Sequence, residues 1–230
     1  MNKLNNFFRE LWEVLKEAGY FIYLALRAFR FWHRDPPVST VDELARFAET
    51  RSKFVSQITL YGYIKTRAGT RYTELFKDDV FALSLNIAKW EIYLACLGDL
   101  SIYTTAKIAA HAASTKEEAC ALAIHIFDAA IRDEEPPKDR PQGFGEATEA
   151  FHVRARLTDW ANVLIGENSF EPSLAALVEW APIADELKEF DVQIVRNSMR
   201  FKWKAVRDQL EPLLQIDPVI ADWRAGSSAV

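Results

Sequence analysis

The chain has 230 residues, half of them hydrophobic and 13% aromatic, which suits one large domain or one domain with an appended arm. Only 8 Gly and 9 Pro occur, too few for the frequent turns of an all-β fold, so the composition points to an all-α protein. A net charge of -5 argues against general nucleic-acid binding, which needs a basic surface to neutralise phosphates.

Residues 1–36 read as an amphipathic helical arm. Leu4, Phe8, Leu11 and Leu15 recur at spacings of three or four, with Arg9, Glu13 and Lys16 on the polar face. Charges scattered through the first 18 residues leave no apolar core for a cleavable signal peptide. The longest uncharged apolar stretch, Ala18 to Leu26, is far shorter than the roughly 20 residues a spanning helix needs. From residue 19 to 34 the arm holds Arg27, Arg30, Arg34 and His33 but no acid, beside Phe21, Phe29 and Trp32. Rings on one side and guanidinium groups on another suit a helix lying on an anionic bilayer surface. The same pattern suits a partner helix or the protein's own core.

Asp35-Pro36-Pro37 stops the arm, because proline lacks a donor and restricts its predecessor. Residues 37–230 then read as a helical core domain. A capping box, Thr40 to Glu43, opens a helix towards Arg67. Lys65, Arg67 and Arg71 cluster around a Gly69 turn before the next helix, a place that could hold an anion. A long apolar run follows from Thr73 to Ala113, interrupted or kinked near Gly98-Asp99, and within it Val80 to Ala109, apolar nearly all round, is expected to be the buried central helix. Within it, Asn86, Lys89 and Tyr93 share a face, with Asp99 and Tyr103 following. Polar groups in so apolar a run need partners or line a ligand pocket. A second box, Ser114 to Glu117, starts a helix ending near Arg132, and Asp133–Gly145 is a long loop that could mark a subdomain boundary. Helices are expected over Glu146–Ile165, Pro172–Glu189, Val192–Leu210 and Pro218–Arg224. Arg196, Arg200, Lys204 and Arg207 line one face of the third of these, as a solvated edge or an acidic-partner surface.

Catalytic motifs are missing from the sequence. There is no GxSxG elbow, CxxC, HExxH or EF-hand loop, and a single Glu149-x-x-His152 falls short of a di-metal bundle. No cofactor or metal is implied. Cys96 and Cys120 fall in apolar helical patterns without a disulfide framework, which fits a reducing compartment.

The stretch from Thr59 to Tyr103 (TLYGYIKTRAGTRY…DDVF…LNIAKW…CLGDLSIY) resembles an uncharacterised bacterial protein family sometimes labelled "esterase". The resemblance implies a bacterial cytoplasmic setting and assigns no catalytic residue. The sequence therefore predicts an all-α array of helices around a buried central helix. The expected function is that of a non-catalytic adaptor or scaffold, resting on the inner face of the cytoplasmic membrane through its arm and binding a protein partner. Two alternatives stay open: a soluble subunit of a protein assembly, homo-oligomers included, and a small-molecule binder or enzyme using the Asn86–Lys89–Tyr93 face.

Overall fold

The computed structural model describes residues 36–135, 137, 143–165 and 168–227. Thr40 opens helix α1 (Val41–Ala68) with the expected capping box: its hydroxyl accepts from the Glu43 amide at 3.2 Å, and Glu43 accepts from the Thr40 amide at 3.1 Å. Asp222, near the far end of the chain, also accepts from the Val41 amide at 2.8 Å. The helix ends at Gly69, whose φ of +56° favours glycine. A 3-10 turn (Gly69–Arg71) and the four-residue α2 (Tyr72–Leu75) lead to α3 (Asp79–Ala112), capped by Asp78.

The interruption expected near Gly98-Asp99 is absent, for α3 runs unbroken through 34 residues. An aspartate weakens a helix interior when its carboxylate competes for nearby backbone. Here both carboxylate oxygens bind groups from other helices, and the backbone ladder is left intact.

Helix α4 (Lys116–Ile131) is capped by Thr115, one residue beyond the expected Ser114. The remaining helices are α5 (Gly145–Leu157), α6 (Glu171–Trp180), α7 (Asp185–Leu213) and α8 (Ile216–Ser227). The helix expected to reach Ile165 stops at Leu157, where Thr158 turns extended and its hydroxyl donates to the Arg154 carbonyl at 2.8 Å. The break expected between Glu189 and Val192 lies instead at Ala181–Ala184, around Pro182, so α7 is one long helix. Pro212 is tolerated in its last turn, and the helix ends one residue later.

Helix α3 is the central element, packed against α1, α4, α6 and α8. Ile92, Leu97, Leu100 and Ile108 are fully buried in it. Among the described helices it alone is long and apolar enough to cross a bilayer, yet Asp99, Ser101, Thr104 and Thr105 lie buried among its neighbours, as in a protein core. The described residues contain no strand. The chain enters through a single parallel bridge in which the Val38 amide donates to Leu213 and the Gln215 amide donates to Val38. Two stacked ring pairs fill the core: Phe127 with Phe151, and Phe170 with Trp203.

At Gly98 two side chains of α5 pack closely on the backbone of α3. A Cβ there would meet the Phe151 ring at 3.0 Å and the Arg154 guanidinium at 3.3 Å. That ring is clamped by Phe127, with centroids 4.1 Å apart, and has little room to yield. Gly98→Ala is therefore expected to destabilise the protein by about 1–2 kcal/mol even after its gain in helix propensity. Gly62→Ala, in α1 with open space around the site, should instead stabilise by roughly 0.5–1 kcal/mol. Urea unfolding of the two variants checks both signs.

Candidate interaction surface

Helix α7 has two apolar faces. Val195, Met199, Trp203, Val206 and Leu210 recur at spacings of three and four and form the inner, buried one. At about 100° per residue, Leu187, Phe190, Ile194 and Phe201 fall on the opposite side of the helix. They are exposed to 44%, 81%, 71% and 73%. Other exposed large apolar residues occur in smaller groups, such as Val80 with Leu83 and Val153 with Leu157. An exposed face rich in large apolar groups at helical spacing calls for a partner.

What holds α7 in this orientation is a buried polar network. Asp99 is fully buried at the middle of α3. Arg154 of α5 donates to one of its oxygens at 2.6 Å, and the Ser173 amide of α6 donates to the other at 2.8 Å. The Ser173 hydroxyl in turn accepts from the Trp203 indole of α7 at 3.0 Å. Burial pushes the Asp99 carboxyl above the usual carboxylate range, while the Arg154 charge and the Ser173 donors pull it back.

The basic residues of α7 are largely engaged within the body. Arg196 is paired with Glu171, and Arg200 lies 3.8 Å from the same carboxylate. Lys204 bonds Asp208 at 2.6 Å across one turn. The Arg207 guanidinium stands 5.8 Å from the Phe170 ring centroid and 6.0 Å from that of Tyr103. These contacts tie α7 to α6 and α3 on one side and leave the outer stripe uncovered by the described helices.

The N-terminal turns of α7 meet the end of α1. Arg67 pairs with Asp191 and also donates to the Leu187 carbonyl at 3.3 Å. The pair draws the Asp191 carboxyl below its ordinary value, through the Arg67 hydrogen bond first. Burial and Asp191 together push the neighbouring Tyr63 phenol up to about 12. Lys65 and Arg71 are exposed, and the helix that follows the Gly69 turn has only four residues.

The Asn86–Lys89–Tyr93 face passes from solvent to core. Asn86 is exposed, Lys89 half-buried and Tyr93 only 3% exposed. Burial lowers the Lys89 pKa and raises that of the Tyr93 phenol, whose hydroxyl has no hydrogen-bond partner among the described residues. The Lys53 ammonium stands 5.7 Å from the Tyr93 ring centroid and is neutralised by Glu49 and Glu134. Phe21, Arg27, Phe29, Arg30, Trp32 and Arg34 of the arm lie outside the described residues.

Sequence reasoning found Asp99 as a buried polar group but missed Arg154, Ser173 and Trp203, which three other helices bring to it. It also missed the outer stripe, because only the basic face of this helix, Arg196 to Arg207, is weighed there. The signal was present: two sets of helical spacing, offset by half a turn, run along the same helix. Comparison with known proteins finds no matching family model, curated protein or solved structure.

Asp99 has a pH signature. Its folded pKa stands above its unfolded one, so across that window the folded state holds the extra proton. Its contribution to stability then falls as pH rises from the ordinary carboxylate range through the folded value, and is flat above it. Asp99→Asn replaces one acceptor oxygen with an amide NH2 facing a donor, either Arg154 or the Ser173 amide, and is expected to destabilise by about 1–3 kcal/mol. That penalty should be largest near pH 4 and smaller near pH 7. Denaturant unfolding of wild type and variant across this range reads it, and a penalty that grows with pH would show the ion pair outweighing burial.

Proposed function

We propose that the protein is a helical adaptor that docks a protein partner through the outer face of α7. The observation that carries this is the Leu187–Phe190–Ile194–Phe201 stripe, opposite a face that already holds the helix on its body. Large apolar side chains placed there add nothing to the monomer's core, while at an interface they supply burial. Phe190 and Phe201 offer the rigid aromatic area that interface centres favour.

Because both rings are exposed, Phe190→Glu with Phe201→Glu should leave stability within about 0.5 kcal/mol of wild type. A photo-crosslinking amino acid at Phe190, expressed in the source organism, should yield a discrete heavier product that Phe201→Glu abolishes. The same probe at exposed Lys116 should yield none. Equal, diffuse labelling from both positions would sink the docking reading.

The arm supplies the second half of the proposal: attachment of the adaptor to the inner surface of the cytoplasmic membrane. What supports it is charge segregation, since residues 19–34 carry three Arg and no acid in a chain of net charge -5. The full chain is expected to co-sediment with vesicles of phosphatidylglycerol, less so as salt rises, and removal of residues 1–36 should abolish it. Undiminished binding after that removal would exclude the arm.

A further inference from the structure

We infer that the occupant of the α7 stripe is a second copy of the same helix, packed antiparallel about a two-fold axis between Ile194 and Asn197. The inference rests on the docking reading above and names its partner. It comes from the order of residues along the outer face. Phe190 and Phe201 are equidistant from the midpoint of Ile194 and Asn197, so an antiparallel pair sets each Phe190 against the other copy's Phe201. Ile194 then lies opposite the other copy's Asn197, about 4.5 Å along the axis from its own equivalent, where small Asn197 and Ser198 leave room for close approach. Leu187 lands beside exposed Ala205 of the other copy.

Charge follows the same symmetry. Glu186 and Lys204 lie on one flank of the stripe, each about 60° from its centre by helix geometry. Same-side flanks face each other in an antiparallel pair, which brings Glu186 of one copy to Lys204 of the other, twice per dimer. Lys204 is 63% exposed in its pairing with Asp208 and is free to turn towards a second carboxylate. A parallel pair would instead put the two copies' Glu186 and Lys204 on opposite sides of the seam, where neither charge meets its complement. Self-complementary order of this kind is what an isologous interface requires.

The area is adequate. The four exposed side chains present on the order of 500 Å², so two copies bury roughly 1,000 Å², near the lower bound of specific interfaces. A reversible dimer with a micromolar dissociation constant is the expected result.

The test is sedimentation equilibrium of the full chain from about 1 to 200 µM, with circular dichroism to confirm folding. Wild type should pass from monomer to dimer in that range, and Phe190→Glu with Phe201→Glu should stay monomeric. Glu186→Lys alone and Lys204→Glu alone should each weaken the dimer about five- to tenfold, and the two together should restore it to within roughly threefold. A monomer at every concentration overturns the inference, as does a dimer indifferent to these changes. So does a chain that dimerises only after residues 1–36 are removed, because its own arm then holds the stripe. A monomer whose Phe190 probe still gives a discrete product with a different protein overturns the dimer alone, whereas a monomer with no product removes the docking reading as well.

Discussion

One buried carboxylate sets the arrangement of the described helices. Asp99 sits near the middle of the central helix, where an isolated ion would be prohibitively unfavourable. Its two oxygens are satisfied from two directions, by Arg154 of α5 and by the backbone of α6 at Ser173. Because Ser173 also accepts from Trp203, α7 is held to the same point. Hydrogen bonds are directional where apolar packing is not, so this network fixes which face of each helix turns inward.

That constraint explains the shape of α7's surface. Trp203 must point to Ser173, and at 3.6 residues per turn this fixes Val195, Met199, Val206 and Leu210 inward with it. Leu187, Phe190, Ile194 and Phe201 are then necessarily outward. Exposure of these side chains is therefore a consequence of the buried indole bond. Rotating α7 to hide them would break the indole bond and leave the buried Trp203 N–H without its acceptor, a loss of about 1–3 kcal/mol before any packing is counted.

The fold class was legible because helical period and capping are local. Thr40 and Glu43 announce α1 within four residues, and Asp78 caps α3 in the same way. Element limits failed where a distant contact decided them. The predicted break at Gly98-Asp99 follows ordinary propensities, but Asp99's partners lie 55 and 74 residues away and remove the competition with the backbone. Pro182 was the better local signal for the end of α6 and was read through. The outer stripe needed a finer question of the sequence: whether apolar residues on one helix form one face or two.

The N-terminal part of α7 shows why the two faces matter. No residue of α7 before Val195 is buried, so its first three turns lack the packing that holds the rest. They are tethered by polar contacts at their edges, Arg67 to Asp191 and Lys188 to the Glu179 carbonyl at 2.9 Å. Exposed contacts of this kind contribute at most about 1 kcal/mol each. A helix end secured so weakly, yet carrying Leu187, Phe190 and Ile194, gains more from a surface laid over it than from any contact with its own body. The charged tethers on the inner side orient the segment, and the rings on the outer side give it something to bind with.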